Sequence, residues 1–342
     1  MNQAESTTKK ATIYDVAREA HVSKSLVSLV LRGDNAVSRA KREAVLEAIK
    51  KLNYRPSRHA QSLASSRTKT IGLVITEYEN LAYANVLMGL REVFDTLDFQ
   101  ILVSDLHTNP NLHGDAVDAL VSMDVEAIVL FVEPANLNTE GLNVPTIVVG
   151  ARETTVKGSD LIYSSDRSGT ELVLDHLVAL GHKNIAHLSG LGGIAGNRRK
   201  SYVEFMQERG LPRIVYGENQ KTNQLGGYQA AKELIASGKP FTAIYAANDH
   251  IAAGAISALS EMNISVPDDV SVAGYDNAPI SREYAMKLTT IDDMGLELGH
   301  KAAEQLIKRL EGDNLQNPIQ IVIEPKLVVR KSTTRVKNKT KK

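Results

Sequence analysis

The predicted helix from Ser23 to Gly33 carries polar side chains on one face that could read the edges of DNA bases. A lysine ammonium can donate a hydrogen bond to guanine or to phosphate, and a serine hydroxyl can pair with either kind of base edge. A leucine also lies on this face. It is either a scattered exposed leucine without a role or a contact to a thymine methyl, the one apolar feature of a major-groove edge. The polar face comprises Lys24, Ser25, Ser28, Leu29 and Arg32, and the opposite face comprises Leu26, Val27, Val30 and Leu31.

Three short helices are predicted in the first sixty residues, and they would position this face. The turn between the first two, at His21-Val22, is only about three residues long, so these helices must cross steeply, as in a helix-turn-helix unit. The start of the second helix then meets base edges in the major groove. The third helix is expected to stop at Asn53-Tyr54-Arg55-Pro56, because the residue before a proline is pushed out of the α region. The expected N-caps are Thr12 with Asp15, Ser23 and Ser38.

Charge is distributed unevenly along this chain of 342 residues, although its net charge is zero. Residues 1–68 hold 13 Lys and Arg against 6 Asp and Glu, and residues 69–329 hold 20 against 34. Residues 330–342 hold 7 basic and no acidic residues. A basic N-terminal module on an acidic body indicates a polyanion partner for the module. The polar arm 1–10 and the basic tail 330–342 are expected to be disordered.

Composition restricts the class of protein further. With 43% hydrophobic residues the chain can bury a sizeable core, and its length suggests two or three domains. The lack of cysteine excludes disulfides, thiolate metal sites and cysteine nucleophiles. The sequence contains neither a long apolar run nor the core of a signal peptide, so a soluble cytoplasmic protein is expected.

From Thr70 onward, apolar strands alternate with helices. Such strands indicate parallel sheets covered on both faces, and they are too numerous for one ordinary sheet. We therefore expect an α/β core of two doubly wound subdomains with a cleft between them. The segment 57–68 is too short to be a stable helix alone, so it should be helical only when something holds it. The predicted units are the arm 1–10, the helix-turn-helix domain 11–56, the hinge 57–68, the core 69–329 (subdomains at about 69–164 plus 293–321 and about 165–292 plus 322–329) and the tail 330–342.

Several motifs resemble the LacI/GalR family of bacterial transcription regulators. They are T-I-Y-D-V-A-R-E-A-H-V-S-K-S-L-V-S-L-V-L, N-Y-R-P and A-Q-S-L-A in the N-terminal module, and H-L-V-A-L-G-H-K-N-I-A, A-A-N-D-H-I-A-A-G-A and V-S-V-A-G-Y-D-N in the core. The resemblance covers nearly the whole chain beyond about residue 11. It implies a DNA-binding headpiece, a hinge helix and a core similar to periplasmic sugar-binding proteins. It also implies a homodimer that binds a pseudo-palindromic operator, most often as a repressor.

The resemblance implies roles for individual residues. Tyr14 and Ser23 would contact phosphates, and the two residues after Ser23 would read bases. Leu63 of A-Q-S-L-A would wedge into the minor groove, where an apolar side chain unstacks and kinks a base step. Many family members carry an arginine where this chain has Leu29, so its operator preference should differ from theirs. The expected DNA contacts are Tyr14, Ser23, Lys24, Ser25, Ser28, Leu29, Arg32, Arg58, His59 and Leu63.

Polar residues after predicted core strands offer a ligand site, since open α/β sheets bind ligands at the carboxyl ends of their strands. Asp276 follows one strand, Asn248 and Asp249 follow another, and Arg198 opens a helix after a third. An aspartate and an arginine can clamp a vicinal diol or a carboxylate. Taken singly, each residue could instead be a strand-end cap or part of a surface ion pair. The resemblance puts effector contacts at Arg198, Asn248 and Asp276, and Tyr83 could stack on a sugar ring or belong to the core.

The effector class implied by the family is most often a sugar or polyol, but nucleobases and partner proteins also occur. An inducer would disorder the hinge and a corepressor would order it, and the sequence is compatible with both. Neither a cofactor nor a metal ion is expected.

Two other functions compete with this interpretation. An α/β enzyme could use Gly190-x-Gly192-x-x-x-Gly196 as a dinucleotide loop, although the spacing differs from G-x-G-x-x-G. A plain solute-binding protein would not need the basic N-terminal module. His176, His182 and His187 are spaced too loosely for a metal site, so we expect scattered surface or capping histidines. We therefore predict a regulator and not an enzyme.

Overall fold

The computed structural model describes residues 11–31, 34, 36–54, 67–76, 78, 82–106, 116–139, 142–150, 154, 156–312 and 317–337. The chain divides into two compact units, Met1–Thr68 and Lys69–Lys342. The first contains the helical headpiece and the second contains two sheets. The arm 1–10 and hinge residues 57–66 lie outside the described residues. In the part of the chain that is described, no helix is long and apolar enough to cross a bilayer.

The headpiece helices are Ile13–Glu19 (α1), Lys24–Leu31 (α2) and Arg39–Lys51 (α3). The predicted cap of α1 is confirmed, because the Thr12 side chain accepts a hydrogen bond from the Asp15 N–H and the Thr12 N–H donates to the Asp15 carboxylate at 2.9 Å. Ser23 also caps its helix, since its Oγ accepts from the Leu26 N–H at 3.2 Å. Ser38 precedes α3 but makes no cap bond with its side chain, so that prediction is wrong.

The turns of the headpiece depend on left-handed residues. His21, between α1 and α2, has φ 52°. Asn53, just after α3, has φ 47°, and the Tyr54 N–H donates to the Ile49 carbonyl at 3.0 Å. A left-handed asparagine there closes the last helical turn. The helix therefore ends at Lys51, just before the segment Asn53-Tyr54-Arg55-Pro56 that was predicted to stop it, and Arg55 and Pro56 lie outside the described residues.

The headpiece core joins valines from all three helices and covers more of α2 than predicted. Val27 and Val30 are buried, as expected. Leu29 is half-buried and packs against the same core, so its assignment to a wholly solvent-facing side is wrong. The reason is tertiary, because α2 contacts both α1 and α3 and more than one of its faces is covered.

The second unit is built on two sheets. Its strands are Thr70–Ile75 (β1), Gln100–Asp105 (β2), Ala127–Phe131 (β3), Thr146–Val149 (β4), Asp160–Ser164 (β5), Ile185–Leu188 (β6), Ile214–Tyr216 (β7), Ala243–Ala246 (β8), Ser271–Tyr275 (β9), Thr289–Asp292 (β10), Gln320–Ile323 (β11) and Lys326–Val328 (β12). The sheet of the N-subdomain has the order β11-β5-β4-β3-β1-β2 and is parallel throughout. The sheet of the C-subdomain has the order β12-β10-β9-β8-β6-β7, and only β12 is antiparallel. The predicted α/β core of two doubly wound sheets is confirmed.

Apolar clusters on both faces of each sheet are covered by helices, as expected for parallel sheets. The helices are Tyr83–Phe94 (α4), Ala116–Val121 (α5), Asp166–Ala179 (α6), Gly193–Glu208 (α7), Gln224–Ala236 (α8), Asp249–Glu261 (α9) and Gly295–Leu310 (α10). In the N-subdomain α4 and α10 pack closely on each other. A Cβ atom at Gly89 would collide with the Leu296 carbonyl, and one at Gly299 would collide with the Val86 carbonyl.

The chain passes between the two subdomains three times. The crossings lie between β5 and α6, between β10 and α10, and between β11 and β12. The third falls at residues 324–325, slightly later than the expected boundary at about 321–322. Three neighbouring crossings allow a hinge motion that opens and closes the space between the subdomains.

The basic tail begins as part of the C-subdomain, so the prediction of a disordered tail is wrong for residues 330–337. Ser332 is buried, and the Val336 N–H donates to the Leu180 carbonyl at 3.0 Å. Lys331 and Lys337 are exposed, so apolar or hydroxyl side chains alternate with solvated basic ones. The prediction of disorder considered only the excess of basic residues and not the alternation of buried and exposed side chains, which is typical of an extended segment packed on one side. Residues 338–342 lie outside the described residues.

Candidate ligand cleft and DNA-binding face

A cleft of about 230 Å³ lies between the two subdomains, at the carboxyl ends of their parallel strands. Thr76 and Ser164 line it from the N-subdomain, and Asn248 and Asp276 line it from the C-subdomain. Each of these residues ends or follows a strand. The predicted position of the ligand site, where an open α/β sheet places it, therefore coincides with a cavity.

Arg198 lies at the centre of the cleft wall and is only 6% exposed. Its Nε donates to Asp166 Oδ1 at 2.9 Å, and its Nη1 donates to Asp276 Oδ1 at 2.8 Å and to the Ala247 carbonyl at 2.7 Å. The guanidinium also lies over the Tyr275 ring, 3.6 Å from its centroid. Two carboxylates and an aromatic face compensate this buried cation, which would otherwise be very costly. Nη2 makes no hydrogen bond to a described residue, so it is available to a ligand.

Asp276 and Asp249 are both buried, but they play different roles. Asp276 lines the cleft with φ 97°, and burial raises the pKa of its carboxyl even though Arg198 opposes the shift. Asp249 begins α9, and its carboxylate accepts hydrogen bonds from the Ala278 N–H at 2.7 Å and from Thr290 Oγ1 at 2.6 Å. Burial and the nearby Asp276 raise the pKa of Asp249 well above its usual value. Asp249 thus supports the loop that carries Asp276.

Asn248 lines the cleft, yet most of its polar capacity is used inside the protein. Its Oδ1 accepts from the Ile251 N–H at 2.7 Å, which caps α9, and its Nδ2 donates to the Thr222 carbonyl at 2.9 Å. One amide hydrogen and one lone pair remain. Asn248 is therefore a cap at the end of a strand, which was the alternative to a ligand contact. It can bind a ligand only through its second amide hydrogen and its second oxygen lone pair.

Tyr83 is not brought together with the other candidate effector contacts. It begins α4 and packs against the apolar cluster of the N-subdomain. It is absent from the described lining of the cleft, where Phe131 is the aromatic residue. The core alternative describes Tyr83 better than stacking on a sugar does.

Sequence reasoning missed two acidic residues of the cleft, Asp166 and Asp293. Both directly follow crossings between the subdomains. Burial and the negative charge of Asp276 raise the pKa of Asp293 to about 8, while Arg198 lowers it. Each residue follows a β-strand, as Asp276 does, but the sequence does not show which strands border the cleft.

The described lining of the cleft is strongly acidic and incompletely hydrogen-bonded. Its carboxylates belong to Glu133, Asp166, Asp276 and Asp293, and Arg198 is the cationic side chain among the described lining residues. Ser164 Oγ and Asp166 Oδ2 are buried there without a partner in the described part of the protein. Buried polar atoms are nearly always paired, so these atoms are suited to a ligand or to water.

On the headpiece, Tyr14 and Lys24 form a shared surface patch. Tyr14 is 60% exposed, and the Lys24 ammonium lies 5.1 Å from the centroid of its ring. Ser25 is exposed next to them and Ser28 is half-buried. The Ser23 hydroxyl accepts the cap bond of α2, and its own proton stays available to a phosphate. The other predicted DNA contacts lie outside the described residues: Arg32, Arg58, His59 and Leu63.

Comparison with known proteins identifies the family. Residues 12–57 match the model of bacterial regulatory proteins of the lacI family, and residues 174–333 match the periplasmic binding protein-like domain. The chain is 33% identical over 333 residues to the HTH-type transcriptional repressor PurR of Histophilus somni (strain 2336), covering 94% of this chain and 98% of that protein. The chain belongs to the LacI family. Within it, this chain is a DNA-binding transcriptional repressor, and the predicted resemblance is confirmed.

Solved structures of LacI-family proteins agree with this fold. The lac repressor dimer bound to operator and the anti-inducer ONPF is 29% identical, with a TM-score of 0.80, and the match covers 95% of this chain and 100% of that chain. The complex of the transcriptional regulator CelR with cellobiose is 25% identical, with a TM-score of 0.68, and the match covers 94% and 99%. These relatives are regulators, so the chain is not an enzyme.

The glycine-rich loop of this LacI-family chain lines the ligand cleft. Gly192 has φ 99° and precedes α7, so the loop needs glycine for its backbone conformation. Leu191, Gly193 and Ile194 form part of the cleft wall. The loop therefore shapes the site that contains Arg198, and the dinucleotide interpretation is not supported.

The three histidines considered for a metal site, His176, His182 and His187, make hydrogen bonds inside the protein. His187 Nδ1 lies 3.0 Å from the Tyr245 carbonyl, and burial lowers its pKa to about 3. His182 lies 2.9 Å from Thr242 Oγ1 and 3.0 Å from Ser271 Oγ. His176 lies 3.0 Å from Thr333 Oγ1. His182 and His187 are buried, so the expectation of surface histidines is wrong for both. Among the described residues, no cluster of three ligating side chains could hold a metal ion.

Proposed function

We propose that this chain is a cytoplasmic repressor that binds a pseudo-palindromic operator as a homodimer, under the control of a small molecule in the cleft. The observation that carries the proposal is the buried cluster of Arg198, Asp166 and Asp276 between two subdomains that three crossings connect. A ligand bound there can contact both subdomains and so stabilise one degree of closure over another. An effector acts by such a difference in affinity between two states.

The acidic lining favours a sugar or polyol as the effector. The carboxyl groups of Asp276 and Asp293 can each hydrogen-bond a ligand hydroxyl group, and Arg198 Nη2 donates to a hydroxyl oxygen of the same ligand. Phe131 is the aromatic residue among the described lining residues of the cleft, and an aromatic side chain can pack against the apolar face of a sugar ring. The CelR relative was solved as a cellobiose complex, which supports the same class. A nucleobase is the second candidate, because Phe131 and the apolar side chains of Leu191 and Ile194 could enclose a planar ring.

The DNA contacts follow from the exposed headpiece face. Lys24 and Ser25 would read base edges in the major groove, and Tyr14 and Ser23 would bind phosphates. Ser28, Leu29 and Arg32 would border the same surface, and Arg58, His59 and Leu63 of the hinge would act in the minor groove. Leu29 can still reach a thymine methyl with the part of its side chain that remains exposed.

A homodimer agrees with the exposed apolar surface of the second unit. Met88 is 55% exposed on α4, Leu296 is 40% exposed on α10, and Tyr284 is 86% exposed. Exposed large apolar side chains are typical of protein interfaces. The lac repressor relative was solved as a dimer on its operator, which supports the same assembly here.

The test is selection of binding sites from random duplex DNA by the full-length protein. It is carried out alone and with sugars, polyols and purine bases supplied one at a time. We expect one pseudo-palindromic sequence whose enrichment changes with one compound. Loss of enrichment identifies an inducer, and a gain identifies a corepressor.

Asp276→Ala should abolish this response and leave operator binding without effector largely unchanged, because Asp276 belongs to the core and not to the headpiece. If no sequence is enriched under any condition, the proposal fails. If the Asp276→Ala protein responds like the wild type, the effector site lies elsewhere.

A further inference from the structure

Two consecutive non-glycine residues in the cleft loop have left-handed backbones. Asp276 has φ 97° and Asn277 has φ 47°, and both are 6% exposed. Side chains other than glycine rarely adopt such conformations, which persist only when their surroundings enforce them. The cleft loop, residues 275–282, must therefore be held in place by contacts outside itself.

The C-terminal segment supplies one of these contacts through Arg330. Its Nη2 donates to Asn277 Oδ1 at 2.6 Å, and its Nη1 donates to the Leu288 carbonyl at 2.7 Å. Arg282 adds a hydrogen bond from Nη2 to the Asn277 carbonyl at 3.2 Å. The planar guanidinium of Arg330 joins the cleft loop to the start of β10, and a single ammonium could not span two such acceptors in the same way.

The other side of Asn277 is bound to a crossing between the subdomains. Its Nδ2 donates to Asp292 Oδ2 at 2.8 Å, and Asp292 Oδ1 accepts from the Met294 N–H at 2.8 Å. Met294 has φ 63° and directly precedes α10, which belongs to the N-subdomain. One asparagine thus connects the C-terminal segment, the loop of Asp276 and the chain that enters the opposite subdomain.

We propose that Asn277 and Arg330 are positioning residues that hold Asp276 in the cleft and couple its movement to the β10–α10 crossing. The inference rests on the proposed function, because it takes Asp276 as a contact of the effector. Displacement of Asp276 by a ligand moves Asn277, and the Asn277–Asp292 hydrogen bond passes this movement to the hinge. Arg330 holds the Asn277 Oδ1 atom, so the Asn277 side chain cannot simply rotate away when Asp276 moves.

The test compares Arg330→Met, Arg330→Lys and Asn277→Gly in the full-length protein, with Lys331→Met as the control. Glycine at 277 tolerates the left-handed backbone and removes only the side-chain bonds. Lys331 is the exposed neighbour of Arg330, so its change removes the same charge from the same segment. The first measurement is the rate of amide hydrogen exchange at Asp276 and Ala278 without ligand. The Asp276 N–H donates to the Ile291 carbonyl, and the Ala278 N–H donates to the Asp249 carboxylate.

Exchange at these two amides should rise about tenfold in Arg330→Met and Asn277→Gly, since each change removes hydrogen bonds in which one partner is a charged group. Arg330→Lys should recover part of the protection, and Lys331→Met should match the wild type. The second readout is the affinity for the compound found by selection. It should fall about tenfold in the first two variants, while operator affinity without effector stays within about twofold.

Two results would overturn the inference in distinguishable ways. If Asp276→Ala abolishes the response but Arg330→Met and Asn277→Gly keep wild-type exchange and effector affinity, the positioning role is wrong and the effector site stands. If Asp276→Ala responds normally, the proposed effector site is wrong, and the coupling to effector falls with it. In that case the exchange data still decide whether Arg330 holds the loop.

Discussion

Replacing Ser332 with alanine tests whether the C-terminal segment belongs to the folded core. Ser332 is 2% exposed, and its Oγ donates to the Val272 carbonyl at 2.6 Å and accepts from the Thr289 N–H at 2.8 Å. Alanine fills nearly the same space but leaves the donor of Thr289 and one lone pair of Val272 unsatisfied. Each unsatisfied buried group costs about 1–3 kcal/mol, so we expect the two groups together to lower the unfolding free energy by about 2–6 kcal/mol.

This loss should appear as a lower melting temperature of the core unit in calorimetry. For a unit of this size, 1 kcal/mol corresponds to a shift of about 2–4 °C, so a fall of at least about 4 °C is expected. Lys331→Ala is the control. Lys331 is exposed, and surface changes of this kind stay within about 0.5 kcal/mol.

If Ser332→Ala melts within about 1 °C of both the wild type and Lys331→Ala, the predicted role of the hydroxyl is wrong, because a shift of about 1 °C is smaller than the smallest expected shift of about 4 °C. The hydroxyl would then not satisfy buried backbone groups, and the tail would be dispensable for the fold. A fall in the control equal to that of Ser332→Ala would also refute it, because charge in the segment would then be the cause.

Three further predictions concern the cleft and the DNA contacts. Because the pKa of Asp293 is raised from 3.8 to about 8, the folded protein binds this proton more tightly than the unfolded chain, so the contribution of Asp293 to stability falls as pH rises from 4 to 8. The difference in melting temperature between Asp293→Asn and the wild type should therefore grow from pH 5 to pH 8 and level off above pH 8. A difference that does not change with pH would contradict the raised pKa of Asp293. Leu63→Ala should weaken specific operator binding much more than nonspecific binding in titrations at fixed salt, and equal losses would exclude a wedge in the minor groove. Leu29→Arg should change base preference at one position per half-site in the selection, and an unchanged profile would leave Leu29 as a packing residue.

Local patterns in the sequence determined the elements and their order. Apolar runs between helical segments from Thr70 onward predicted that strands and helices alternate in the core, as they do in both sheets. The Thr12–Asp15 cap and the turn at His21 were predictable for the same reason, because the residues that form them lie within a few positions of one another in the sequence. Motifs were sufficient to predict the family, because the headpiece residues that carry the resemblance lie in one nearly uninterrupted stretch of sequence.

The composition of the site was only partly predictable from the sequence. Arg198 and Asp276 were expected at strand ends and meet at 2.8 Å across 78 residues of chain. Asp166 and Asp293 were missed, although they too follow strands, because the sequence does not reveal which strands border the cleft. Tyr83 was misplaced for the same reason, since an aromatic residue at a helix start faces the core or the cleft according to how the helix packs.

The sequence alone determined the alternation of helices and strands, the helix-turn-helix unit and the family that the chain joins, because these depend on neighbours close along the chain. Only the tertiary structure decided that Leu29 is half-buried against the headpiece core, that residues 330–337 join the C-subdomain and that Arg330 donates a hydrogen bond to Asn277, next to Asp276. These facts depend on contacts between residues far apart in sequence. Burial and pairing there come from the packing of whole elements, which no local pattern encodes.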